Sequence, residues 1–180
     1  MSVDPLLEQP IKLPLIIGIL GGGQLARMSA YAAFRLGLGV AILERGAHSP
    51  AAQLAHHELS GDWESPALLD QFAAVCDVIT LENEFIDAEA LAHLEGLGKP
   101  VHPGSATLRR IQDKLVQKQT LRDSGLSVVD FAAVDFAAVD VATEQDASEE
   151  GAIQQGVAQL RAFAARHGYP LVLKGRRGSY

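Results

Sequence analysis

Only one cysteine, Cys76, stands in the 180 residues. An internal disulfide is therefore excluded, as is a zinc site built on several thiolates, and a reducing, cytoplasmic setting is expected. Positive charge is scarce too. Fifteen Lys and Arg against 22 Asp and Glu leave a formal net charge of -7. Non-specific nucleic-acid binding needs a basic surface that neutralises phosphates, so no nucleic-acid partner is expected. Any phosphate chemistry must then rest on a few well-placed cations. The apolar run LPLIIGIL (13–20) is too short to cross a bilayer, and no membrane association is expected. It also lacks the cationic start and small-residue cleavage site of a signal peptide. Residues 1–12, with two prolines and mixed charge, are expected to form a flexible N-terminal extension. What remains is 48% hydrophobic and 21% charged, ordinary material for a packed core. At this length one large domain, or one domain plus part of another, is expected.

Apolar runs alternate with helical patterns. Residues 13–20 read as a buried strand, 23–37 as a helix stopped by Gly37, and 39–44 (GVAILE) as a second strand. Residues 66–75 read as a helix with Ser65 at the N-cap and Pro66 in the first position. A strand over 77–82 (DVITLE), a helix over 87–98 and a short strand within 99–104 follow. Such alternation predicts βαβ units, hence an α/β fold around a parallel sheet.

The pattern changes near residue 105, where a domain boundary is placed. A helix is expected from about Ala106 to Asp123, with Gly125 as its stop, then a strand at LSVVDF (126–131). DFAAV occurs twice, at 130–134 and 135–139, which is too short for a solenoid repeat and reads as a local duplication. The acidic stretch 141–151 is expected to be a surface loop, and 153–168 a helix. Leu171, Val172 and Leu173 read as a buried strand running into a basic, glycine-rich loop, Lys174 to Tyr180, the arrangement of a phosphate clamp.

Two motifs lie at expected strand ends. In GILGGGQLARM, Gly21, Gly23 and Ala26 satisfy G-x-G-x-x-A, and Glu44 ends the next strand 18 residues after Ala26. This formally fits a dinucleotide fingerprint, with the acid on a ribose hydroxyl. Glycines let the backbone approach a ligand, and the helix start offers free N–H groups and positive dipole to an anion. Gln24 adds an amide at the mouth of the site. In DVITLENEF, strand alternation puts Thr80, Glu82 and Glu84 on one side, where two carboxylates suit a polyhydroxyl or amino substrate. One of them is alternatively the cap of the following helix.

ILGGGQLARM, CDVITLENE, IQDKLVQKQTLRDSGLSV and GYPLVLKGRRGSY stand in the order and spacing of the N5-carboxyaminoimidazole ribonucleotide synthetases. The chain resembles that ATP-grasp ligase family from about Leu15 onward. The resemblance implies a Rossmann-like pre-ATP-grasp domain that binds substrate over 13–105, then the start of an ATP-grasp domain over 106–180. It implies ATP-dependent carboxylation of 5-aminoimidazole ribonucleotide in purine biosynthesis. Bicarbonate attacks the γ-phosphate of ATP to give carboxyphosphate, and the exocyclic amine then takes the carboxyl group. Magnesium would bridge the phosphates.

Carried over by position, Lys114, Lys174, Gly178, Ser179 and Tyr180 are implied ATP contacts. Gly22, Gly23, Gln24, Leu25, Glu82 and Glu84 are implied substrate contacts. Ser179 stands where the family usually has glycine. The resemblance further implies a homodimer. It also implies that this chain is an N-terminal portion, inactive alone, with catalytic residues and metal ligands beyond Tyr180. Two other readings remain open on the residues: a nicotinamide-dependent oxidoreductase domain using Gly21, Gly23, Ala26 and Glu44, and a non-catalytic nucleotide-binding module.

Overall fold

Four parallel strands in the order β3-β2-β1-β4 form the sheet of the first part of the chain. They are β1 (Ile16–Leu20), β2 (Gly39–Glu44), β3 (His57–Ser60) and β4 (Val78–Leu81). The computed structural model describes residues 14–134 and 146–178. The expected N-terminal extension, the second DFAAV copy, Ser179 and Tyr180 lie outside the described residues. The described chain forms two compact units that divide between Ile111 and Gln112.

In the first unit, α1 (Gln24–Arg35) connects β1 to β2, and α2 (Pro66–Val75) connects β3 to β4. A short 3-10 turn (Ala52–Leu54) precedes β3, while α3 (Ala88–Gly96) and the start of α4 (Ser105–Gln112) follow β4. Strand alternation sorts β1 and β2 between two cores. Leu20, Ala41 and Leu43 pack with Leu69, Phe72, Ile79, Leu91, Leu94 and Leu108. Ile19, Val40 and Ile42 meet Ala26, Ala30 and Ala33 of α1. The alanines let α1 lie close to the sheet. Burying each large apolar side chain contributes roughly 1.5–3 kcal/mol against the entropy of ordering it.

Gly18 sits mid-strand because nothing larger fits. A Cβ there would run into Cys76 Sγ and come within 2.8 Å of the Phe72 ring. Cys76 is 2% exposed, and burial pushes its thiol pKa up to about 12. Glu95 binds the start of α4 through the Ser105 amide (2.8 Å) and hydroxyl (2.7 Å). Gly37 (φ +73°) ends α1 as expected.

Several expectations change. A strand not foreseen, β3, lies at the sheet edge. The stretch 99–104 contributes one bridge, Val101 to Ile79, rather than a strand. The helix expected from Ala106 to Asp123 is two helices, α4 and α5 (Lys114–Asp123), separated by Asp113 in extended conformation. The break is stabilised because the Asp113 carboxylate accepts the Leu115 and Val116 amides and caps α5. Gly125 ends α5 at φ +78°. No strand forms at 126–131 or 171–173. Val172 and Leu173 are 79% and 62% exposed, with no sheet partner among the described residues. The last helix, α6 (Asp146–His167), begins inside the stretch expected as a loop; 141–145 lie outside the described residues.

Candidate functional site

The chain builds outward from β1 through β2 to β3, then returns to place β4 on the other side of β1. The order therefore reverses between β1 and β4. In open parallel sheets, ligands bind beyond the carboxyl ends of the strands at such a reversal. Here those ends carry the glycine loop and Glu82.

Leu20 accepts the Glu82 amide at 2.9 Å, and Leu43 accepts the Gly21 amide at 2.9 Å. Gly21 takes φ +99°, a conformation costly to any residue with a Cβ. The next two amides point at carboxylates. Gly22 N–H donates to Glu44 Oε2, and Gly23 N–H to Glu82 Oε2, both at 2.7 Å. Glu44 Oε1 also accepts the Arg45 amide at 2.7 Å. Glu44, a ribose ligand in the dinucleotide reading, is thus engaged with the loop itself. Gly23 is the N-cap of α1 and brings no side-chain cap, and the first turn holds no acidic residue. Gly23 thus offers no side-chain acceptor to the first amides of α1, those of Gln24 and Leu25, which lie at a positive helix end.

β4 ends at Leu81, so Glu82 and Glu84 lie in the turn after it rather than along one strand face. Neither caps α3. Asp87 does, accepting the Glu89 amide at 3.0 Å. Ser49, not foreseen, packs against Gly22. It is 6% exposed, and its hydroxyl has no hydrogen-bond partner among the described residues. The preceding residue, His48, turns at φ +61° to bring it there.

The second unit gathers a basic cluster. Asp113, its side chain 5% exposed, receives Arg176 Nε at 3.1 Å and Nη2 at 2.6 Å, with Arg177 Nε at 3.7 Å. The hydrogen bond from Arg176 holds the Asp113 carboxyl below the usual carboxylate range. Lys114 N–H donates to the Arg176 carbonyl at 2.9 Å. Lys114 is half-buried; Lys174 and Gly178 are exposed. Asp113 and Arg176 were not singled out in the sequence. An aspartate directly before a helix-forming run was the available signal.

A family model described as the ribonucleotide synthetase preATP-grasp domain matches residues 15–112. The chain belongs to this family. Members that resemble it include N5-carboxyaminoimidazole ribonucleotide synthase from Synechococcus elongatus, 37% identical over 164 residues, which cover 91% of this chain and 36% of that protein. Phosphoribosylaminoimidazole carboxylase from Ogataea methanolica is 34% identical over 167 residues, 91% of this chain and 27% of that one. Among solved structures, an ADP complex of N5-carboxyaminoimidazole ribonucleotide synthetase aligns with a TM-score of 0.75 at 31% identity, covering 94% of this chain and 40% of that one. The Aspergillus clavatus enzyme with ADP and 5-aminoimidazole ribonucleotide aligns with a TM-score of 0.70 at 30% identity, over 92% and 40% of the two chains. The chain spans about a third of the length of these curated relatives. For this pre-ATP-grasp family member the α/β fold and parallel sheet expected from the sequence hold. No described helix is long and apolar enough to cross a membrane.

Proposed function

We propose that this chain supplies the ribonucleotide-binding part and the first nucleotide contacts of an ATP-dependent ligase that carboxylates 5-aminoimidazole ribonucleotide with bicarbonate. The observation that carries the reading is the pairing of Glu82 with Gly23 beside an uncapped helix start at the sheet's reversal point. A ribonucleotide presents both halves of a complementary ligand, a phosphate for the helix start and a diol for carboxylates. The family match supports the same reading.

The residues then divide the work. Gln24 and Leu25 receive the phosphate through their amides, since the Gly22 and Gly23 amides are engaged by glutamates. Glu82 spends one oxygen on Gly23 and keeps acceptor capacity for a ribose hydroxyl. Glu84 lines the same turn. Residues 13–105 form the substrate-binding domain, and 106–180 begin the ATP-binding one. There Lys114, Lys174 and the loop Gly178–Tyr180 meet the phosphates of ATP. In the whole protein bicarbonate attacks the γ-phosphate, ADP leaves, and the substrate amine captures the carboxyl group with release of phosphate. Magnesium is part of that proposal, but no group of three or more His, Cys, Asp or Glu among the described residues could hold it. A cytoplasmic homodimer completes the proposal.

Calorimetric titration of the chain with 5-aminoimidazole ribonucleotide, its dephosphorylated riboside and NADH tests the reading. The ribonucleotide should bind, the riboside more weakly, and NADH not at all. Binding of NADH without binding of the ribonucleotide overturns it in favour of a nicotinamide site.

A further inference from the structure

We propose that Asp113 is a positioning residue for the nucleotide: by holding Arg176 it sets Lys114 and Lys174 around one polyphosphate. The proposal deepens the reading above and rests on its adenine-nucleotide site.

The geometry goes beyond helix capping. A cap needs one acceptor, and Asp113 Oδ1 already serves the Leu115 and Val116 amides. The same carboxylate also takes Arg176 in a two-pronged contact, Nε on Oδ1 and Nη2 on Oδ2. Such planar, bidentate contacts fix direction as well as distance. The backbone adds a second tie, because the Lys114 amide donates to the Arg176 carbonyl at 2.9 Å. That amide is one of the unpaired donors every helix start presents. The basic loop is thus joined to α5 by main chain and side chain together, the side-chain tie reaching across 63 residues of sequence.

Two consequences follow for the lysines. Lys114 is next to Asp113, and Lys174 lies two residues before Arg176. Covalent dimensions then keep their Cα atoms no more than about 14 Å apart. Side chains with four-carbon stems can close that gap around a chain of phosphates. The second consequence concerns charge. Arg176 is compensated by Asp113, and Arg177 lies 3.7 Å from the same carboxylate. Among the described residues neither Lys114 nor Lys174 forms an ion pair with a carboxylate. The tie therefore spends the arginine on the fold and leaves the lysines as the uncompensated cations for an anionic ligand.

The test titrates the 180-residue chain with a fluorescent ADP analogue and follows hydrogen exchange at the Lys114 amide, the donor of the backbone tie. Asp113→Asn keeps a capping side chain but removes the charge. Arg176→Gln alters an exposed side chain that carries no core packing. Each should weaken the analogue about tenfold, the size expected for losing one charge-assisted contact. The double variant should bind no more weakly than either single one, and exchange at the Lys114 amide should rise in all three with helix content unchanged. Wild-type affinity in Asp113→Asn overturns the positioning role alone. So does a loss confined to Arg176→Gln, which makes the arginine a direct phosphate contact, and so does an additive loss in the double variant. A wild-type chain that binds no ADP analogue overturns the nucleotide reading, and the positioning role with it.

Discussion

Glu82 accepts the Gly23 amide at 2.7 Å across 59 residues of sequence, and this bond joins the ends of the two strands between which the sheet order reverses. A carboxylate so placed does two things at once. It satisfies a loop amide that is otherwise unpaired, and it stands beside the helix start proposed for phosphate.

Adjacent glycines of the loop should answer differently to the same substitution. An alanine Cβ at Gly22 would come within 2.6 Å of the Ser49 Cβ and 3.1 Å of the Glu44 Cβ, groups that cannot swing away. Gly22→Ala should cost about 1–3 kcal/mol and lower the melting temperature by several degrees. At Gly23 the Cβ meets the end of the Glu82 carboxylate, which can rotate aside. Gly23→Ala should melt close to wild type yet bind ribonucleotide about tenfold more weakly, the value of one charge-assisted contact. Melting curves and titrations on the pair separate the two. Equal melting temperatures for both variants count against this account of the loop.

Lys174 is exposed and carries no packing in the second unit. Lys174→Met should leave the melting temperature unchanged and weaken ADP binding by about tenfold or more, since a charge-assisted contact contributes roughly 1.5–3 kcal/mol. A fall in melting temperature with unchanged affinity would make the lysine structural.

Glu95 gives the first unit an acid-sensitive joint. Its pKa is lowered, chiefly by the Ser105 hydroxyl bond and then by the Ser105 amide bond. A carboxylate whose pKa falls on folding adds stability above its unfolded value, near 4.3, and loses it as pH drops through the lower folded value. Wild type should therefore exceed Glu95→Gln in melting temperature at pH 7. The gap should close as the pH falls below about 4. A constant gap from pH 7 to pH 3 would show that shape, not charge, holds the start of α4.

Asp113 follows the same sign in the second unit, where Arg176 is the main cause of the lowered pKa. Exchange of the Lys114 amide, which donates to the Arg176 carbonyl, should be slow in wild type at neutral pH. After correction for intrinsic rates it should rise as pH falls through the depressed pKa. Protection that survives full protonation would assign the tie to the Lys114 backbone bond alone.

The first unit was largely legible in the sequence because its signals are local. GVAILE and PALLDQFAAV form a strand and a helix over the spans expected, the strand following Gly37 and the helix opening on Pro66. The missed strand, His57–Ser60, is an edge strand of mostly polar, exposed residues, and its partner Ala41–Glu44 supplies the order its own composition does not. Leu171–Leu173 misled in the opposite sense: apolar residues make a strand only where another strand pairs with them. Glu82 could be chosen from its place at the end of an expected strand, but its bond to Gly23 depends on which strands become neighbours. Glu44 looked like a ribose ligand by spacing alone, and the fold turns it onto the Gly22 amide. The break at Asp113 was legible only in part: an aspartate before a helical run is a local capping signal, but Arg176, which also holds it, lies 63 residues away.

Cys76 makes the first unit its own gauge. The lone thiol lies against Gly18, in the strand whose next turn is the glycine loop. Sealed there and kept protonated, it can meet an alkylating reagent only when that part of the sheet opens. The labelling rate under gentle conditions thus counts openings rather than exposure. A ligand that binds the closed form slows labelling in proportion to its occupancy, so ribonucleotide affinity can be read from one native atom without any label on the ligand.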